Sequence, residues 1–544
     1  MTSSTTPRDA GLEVGVAGAA ADAVATHAPA LVADAVASRL AAQDAALWGP
    51  DAQDEASKRL GWTALPTASR PLVARIASLR EELLAEGVDH VVLCGMGGSS
   101  LAPEVITRTA GVELTVLDGT DPEQVARALG DRLERTVVVV SSKSGGTVET
   151  DSQRRALEAA MTAAGVDAAR RIVVVTDPGS PLQQAATEAG YRAVIEADPT
   201  VGGRYSALTA FGLVPSGLAG ADIGALLDEA AAVADVLGSD DESNPALVLG
   251  AALGGTAGKD KVVIVDEGSG LVGFGDWAEQ LIAESTGKLG TGLLPVVVAS
   301  PAEREVASPA ADELVVRLVA SSDEQAERDD VVTSGSLGAQ MQLWETAVAI
   351  AGRLLQINPF DQPDVESAKQ AARGLLDATP EPEPAALTDG AIEVRATDGL
   401  LDGVSDAEGA LAALLGQLDP ARGYLAVMAY LDREGAPELP GVRAALSART
   451  GRPVTFGWAP RFLHSTGQYH KGGAPTGVFL QVTAAASTDV EIPGRPFSFG
   501  QLISAQAGGD ARVLAEHDRP VLRLHLTDRE AGLAQLVALL GGQR

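Results

Sequence analysis

Between Asp89 and Glu196 the chain repeats one local pattern: a short β-branched run, a cluster of turn residues, then a stretch of helical periodicity. The runs lie in VVLCGMGGSSL from Val91, LTVLDG at 114–119, TVVVVSSKSGGT at 136–147, IVVVTD at 172–177 and RAVIE at 192–196. Strands alternating with helices predict an α/β fold built on a doubly wound, mostly parallel sheet.

A second series follows, with KVVIVDE at 261–267, helical WAEQLIAESTGK at 277–288, LLPVVVAS at 293–300 and ELVVRLVAS at 313–321. It reads as a second α/β unit. The Pro- and Glu-rich stretch DATPEPEPAALTDG at 377–390 reads as a linker. After it, YLAVMAYL, PVTFGW, GVFLQVTA and PVLRLHL make a smaller C-terminal α/β module. The expected organisation is therefore a helical opening segment over 1–60, doubly wound units over 61–225 and 226–376, a linker over 377–395 and a module over 396–544. A length of 544 residues suits several domains of ordinary size.

The net charge of −32 argues against a general nucleic-acid or anionic-membrane binder. Any anionic ligand then needs a local basic site. Cys94 is the single cysteine, which rules out an intrachain disulfide and a cysteine-ligated metal cluster. The opening MTSSTTPRDAGLEV lacks signal-peptide character, and no apolar stretch is long enough to span a bilayer. The expectation is a soluble cytoplasmic protein. The histidines lack metal-ligand spacing, so neither metal nor cofactor is expected.

Two glycine- and hydroxyl-rich loops follow successive strands. Cys94-Gly95-Met96-Gly97-Gly98-Ser99-Ser100 joins a strand to a helix, where close backbone approach and helix amides favour an anion. Ser141-Ser142-Lys143-Ser144-Gly145-Gly146-Thr147 does the same with a lysine, and its hydroxyls suit a phosphate monoester. A structural turn with a Ser or Thr helix cap is the alternative for either loop alone. No Walker-type Gly-Lys-Thr ending is present, which disfavours a nucleotide.

SSKSGGTVET resembles the phosphate loop of sugar isomerase domains. The run from Asp198 to Ser206, DPTVGGRYS, resembles the Gly-Gly-Arg-Phe/Tyr-Ser signature of glucose-6-phosphate isomerases. Glu284-Ser-Thr-Gly-Lys288 resembles the family's Glu-Ser-x-Gly-Lys segment, and NPFDQPDVESAK at 358–369 its C-terminal signature. The resemblance spans roughly 60–375 and implies two sugar isomerase domains. It also implies glycolytic and gluconeogenic interconversion of glucose 6-phosphate and fructose 6-phosphate.

By that resemblance Glu284 is the base that moves a proton between C2 and C1, a task for which a carboxylate is suited at neutral pH. Arg204 is the candidate that stabilises the enediolate. Gly98, Ser99, Ser142, Lys143, Ser144 and Thr147 are the candidate phosphate-side residues, with Glu149 and Gln362 beside the sugar hydroxyls. Gln280 lies one turn before Glu284 and could share its face. Lys369 matches the lysine that assists ring opening.

In the family a ring-opening histidine lies between that glutamate and that lysine, yet 285–368 contains none here. Instead RFLHSTGQYHKGG, from Arg461 to Gly473, resembles the His-Ser-x-Gly-Gln-Tyr segment of bacterial members. This places the histidine, His464 with His470 in reserve, on a C-terminal module docked over the sugar site. The expected partner is a small sugar phosphate, with a homodimer as the family habit. A phosphoglucose/phosphomannose dual isomerase and a non-catalytic sugar-phosphate sensor are the rival readings.

Overall fold

A computed structural model describes residues 3–5, 11–321, 330–378 and 383–541, the side chains of 3–5, 365–369 and 377–378 excepted. The first sheet holds five parallel strands in the spatial order Thr115–Leu117, His90–Gly95, Thr136–Ser141, Ile172–Thr176, Ala193–Glu196. His90–Gly95 and Thr136–Ser141 are buried along their whole length, which is why they read as uninterrupted apolar runs. Numbered along the chain the order is 2-1-3-4-5, so strand order reverses between these two. Their C-terminal ends open the crevice where doubly wound sheets bind ligands.

The second sheet repeats the arrangement. Leu294–Val298, Lys261–Glu267, Glu313–Val319 and Val331–Ser334 are parallel neighbours in that order, again 2-1-3-4 along the chain. Glu13–Val16 closes its edge antiparallel to Val331–Ser334, and Ser3–Thr5 pairs beyond it. The expected opening segment therefore holds more than helices. Gly18–Ala33, Val36–Ala41 and Pro50–Ala56 are helical, but Leu12, Val14 and Val16 are buried on alternate residues, the period of a strand.

The third sheet runs Leu387–Asp389, Ile392–Ala396, Val521–Leu526, Gly477–Ala484, Tyr424–Tyr430, Val454–Trp458. Its last four strands are parallel and its first two form an antiparallel edge hairpin. The far end of the expected linker is thus structural: Ile392 and Val394 pack into the module's core. Residues 379–382 of that linker lie outside the described residues.

Strand Tyr424–Tyr430 shows how the module sits on the rest. Leu425, Val427 and Ala429 point into the module's own core. Tyr424, Ala426, Met428 and Tyr430 instead pack with Val263, Val265, Leu294, Val296 and Val315 of the second sheet. Ile492, Phe499 and Leu502 join Val92, Cys94, Val138 and Val140 of the first. Burying each such side chain contributes about 1.5–3 kcal/mol, so the module is held against both units by apolar burial before any polar contact is considered.

Candidate active site

The loop at 141–147 leaves the first sheet at the point where strand order reverses. The Ser142 hydroxyl lies 3.0 Å from the Thr147 hydroxyl, and Ser144 Oγ accepts the Gly146 amide at 3.2 Å. Gly145 has φ +68°, and a Cβ there would lie 2.8 Å from the Leu182 nitrogen, so the turn requires glycine. Thr147 precedes helix Val148–Ala163 but its side chain makes no cap bond. The opening amides of that helix, at its positive dipole end, are therefore not capped by the Thr147 side chain. Lys143, a candidate phosphate-side residue, has partners of its own in the protein. Its Nζ donates to Asp177 at 2.6 Å and to the Pro199 carbonyl at 3.4 Å, because Asp177 follows the adjacent strand and presents a partly buried carboxylate. It braces this loop to the next one.

The Gly97–Ser99 turn meets the Gly203–Tyr205 turn at one spot. A Cβ on Gly98 would lie 1.9 Å from the Gly203 carbonyl oxygen. Ser99 is half-buried beside it. The close approach permitted by glycine thus falls on Gly98 and sets the height of Arg204. That guanidinium is buried and uses every nitrogen. Nε donates to Ser285 at 2.9 Å, Nη1 to Gln362 Oε1 at 3.0 Å and to Glu284 at 3.4 Å, and Nη2 to the Pro359 and Asp361 carbonyls at 2.7 and 2.9 Å. A guanidinium held at all its donors is a fixed positive charge that needs no reorganisation.

Glu284 is buried in the last turn of helix Phe274–Thr286. Just beyond, Lys288 Nζ donates to the Asn358 carbonyl at 2.7 Å and to Asp361 at its carbonyl, 2.6 Å, and carboxylate, 2.8 Å. Burial, aided by the Arg204 charge, lowers its pKa to about 8. Arg204 and Lys288 together cage loop 358–361 by its carbonyls. Helix Val365–Ala378 starts after that loop and carries Lys369, whose side chain lies outside the described residues.

The C-terminal module reaches this site from the other side. His464 Nε2 lies 3.2 Å from Glu149 Oε1, and Gln280 Nε2 donates to the His464 carbonyl at 2.8 Å. A Cβ on Gly97 would touch the same carbonyl at 2.9 Å. Gln280 and Glu284 are one turn apart on one helix face, so the His464 backbone docks on the helix that carries Glu284. His470, the reserve, is elsewhere: it is fully buried among Tyr424, Phe462 and Phe479, and burial drives its pKa well down. Gln506 went unread in the sequence. It bridges Glu149 at 2.8 Å and Thr120 at 2.7 Å from helix Phe499–Glu516. Nothing local marks a glutamine mid-helix, since its partners lie several hundred residues away.

Residues 77–288 match the family profile described as PGI, phosphoglucose isomerase. A glucose-6-phosphate isomerase of Acaryochloris marina (strain MBIC 11017) is 31% identical over 53% of this chain and 65% of its own length. That of Thermosynechococcus vestitus (strain NIES-2133 / IAM M-273 / BP-1) is 32% identical over 53% and 66%. The chain thus spans just under two thirds of the length of these relatives. Among solved structures, a hypothetical protein from Thermus thermophilus superposes with TM-score 0.56 at 26% identity, covering 69% of this chain and 100% of that one. A glucose-6-phosphate isomerase from Chlamydia trachomatis D/UW-3/Cx gives 0.50 at 21% identity over 57% and 73%, a likeness of fold.

Proposed function

We propose that the chain, whose residues 77–288 match the phosphoglucose isomerase profile, is an aldose–ketose isomerase that interconverts glucose 6-phosphate and fructose 6-phosphate. The observation that carries the reading is the buried pair of Glu284 and Arg204 at 3.4 Å. A carboxylate beside a guanidinium with no free donor is what proton abstraction next to a carbonyl requires: a base for carbon and a fixed charge for the oxyanion.

In this scheme the hydroxyls of Ser142, Ser144 and Thr147, the Gly98–Ser99 turn and the helix amides after Thr147 receive the phosphate. His464, oriented by Glu149, and Lys369 move the proton that opens the sugar ring. Glu284 then carries a proton between C2 and C1 of the open chain through a cis-enediolate, whose charge Arg204 meets. Among the described residues Gln280 Oε1 is buried without a hydrogen-bond partner, and a sugar hydroxyl would satisfy it. Gln362, exposed and tied to Arg204, borders the same place. No step calls for a metal or an organic cofactor. A cytoplasmic location and a homodimer belong to the same proposal.

Incubation with fructose 6-phosphate in heavy water tests it. Glucose 6-phosphate carrying carbon-bound deuterium is the expected product, and Glu284→Gln should lower the rate by about 10²-fold or more. Mannose 6-phosphate in the product would convert the reading to the dual isomerase. Binding without deuterium exchange would replace it with the sensor.

A further inference from the structure

Gln468 lies where three chain segments meet, and each of its amide hydrogens and its oxygen is used. Nε2 donates to the Gly287 carbonyl at 2.9 Å and to Asp364 Oδ2 at 2.7 Å, while Oε1 accepts the Asp364 backbone amide at 3.1 Å. The residue is wholly buried. Gly287 ends the helix that carries Glu284. Asp364 immediately precedes the helix that carries Lys369. Gln468 itself follows soon after His464, on the separate short helix Gly467–Gly472.

Two glycines make the junction tight. A Cβ on Gly472 would lie 2.2 Å from Asp364 Oδ2 and 2.8 Å from both Gln468 Nε2 and the Gly287 oxygen. A Cβ on Gly287 would lie 2.6 Å from the Tyr469 Cα. The Gly290 amide adds a bond to the Gly472 carbonyl at 2.9 Å. Side chains have thus been removed from both neighbours so that one amide can join them. A buried amide whose donors and acceptor are all satisfied holds its partners in one geometry, and losing it takes a donor from a carbonyl and a carboxylate at once.

We propose that Gln468 is a positioning residue that locks the histidine-bearing, glutamate-bearing and lysine-bearing segments in one register. It touches no reacting atom and acts through the other three. The proposal rests on the isomerase reading for what the register accomplishes, and on the contacts alone for its existence.

The test uses the full chain with Gln468→Ala, Gln468→Glu and the pair Gln468→Glu with Asp364→Asn, measuring fructose 6-phosphate turnover and amide hydrogen exchange. Because misplacing catalytic groups by about 1 Å can cost on the order of 10²-fold, Gln468→Ala should lower kcat by about 10- to 100-fold with KM within about threefold. Amides from 364 to 370 should exchange faster while strand Thr136–Ser141 keeps its protection. Gln468→Glu opposes two carboxylates, and adding Asp364→Asn restores a donor, so the pair should regain part of the lost kcat. Native-like kcat in Gln468→Ala, or no regain in the pair, would overturn the proposal, as would uniform loss of protection, which would mark a merely structural residue. Should the native chain not turn over fructose 6-phosphate, the isomerase reading fails by itself, and the exchange pattern still decides whether Gln468 holds the register.

Discussion

Gly98 carries a tight steric constraint next to Arg204. Its missing side chain lets the Gly203 carbonyl approach to where a Cβ would stand 1.9 Å away, and backbone atoms on both sides cannot swing aside as a flexible side chain would. Gly98→Ala should therefore displace the turn that aims Arg204. Overpacking of this kind costs about 1–3 kcal/mol, so a fall in Tm of several degrees with a larger loss of kcat/KM is expected. Gly203→Ala meets no atom within 4 Å and should leave Tm nearly unchanged. Equal Tm values for the two variants would remove the steric argument. At this scale the candidates were legible where one local segment carries them: Arg204 in GGRYS, Glu284 in ESTGK and the hydroxyls of SSKSGGT. The pairing of Lys143 with Asp177 was not legible, because it is set by the pairing of two strands rather than by the loop itself.

Among the elements, the strands legible in the sequence are β-branched runs followed at once by turn residues, whether central or at an edge, and Glu13–Val16, Val331–Ser334 and Ile392–Ala396 were overlooked. Glu13–Val16 and Ile392–Ala396 are short, and each is defined by a neighbour far along the chain, Val331–Ser334 and Val521–Leu526. Helix Phe274–Thr286 was read correctly as a helix, yet what its inner face does could not be. Glu279 on that helix has its pKa raised to about 8, first by burial and then by Asp276 one turn earlier, with Arg461 pulling the other way. An acid that holds its proton more tightly when folded contributes stability fully below its unfolded value of 4.5, and that contribution is lost as pH rises through about 8. Thermal melts from pH 6 to pH 9 should show Tm falling in the native chain and falling less in Glu279→Gln, where no charge can form. Parallel curves would mean that Glu279 titrates as an ordinary surface acid.

For the whole molecule, the question is what carries His464 to Glu149 when the two lie 315 residues apart. Apolar burial presses the C-terminal module onto both sheets, but burial is not directional, and buried ion pairs fix the register. Glu104, in the helix after the Gly98 turn, receives Arg461 and, at 3.0 Å, Arg433. Arg461 reaches on to Asp118 at 3.0 Å, and Arg529 holds Asp121 at 2.9 Å. Arg461 opens the same short turn that ends in His464, so a pair with Glu104 places the histidine directly. Burial alone would raise the Glu104 pKa, but the two guanidiniums bring it down to about 2, so its contribution is present above 4.5 and lost as pH falls through about 2. Removing one partner of a buried pair costs about 3–5 kcal/mol, because the remaining charges lose their counterion. Glu104→Gln should accordingly lower Tm and turnover together at pH 7. Supplying the motif from within the chain has a second consequence: because Glu149, Gln280, Glu284 and His464 come from one chain, specific activity should stay constant on dilution through any dimer dissociation. Activity measured alongside sedimentation across that range decides it, and a specific activity that falls with dimer content would mean a second copy completes the site.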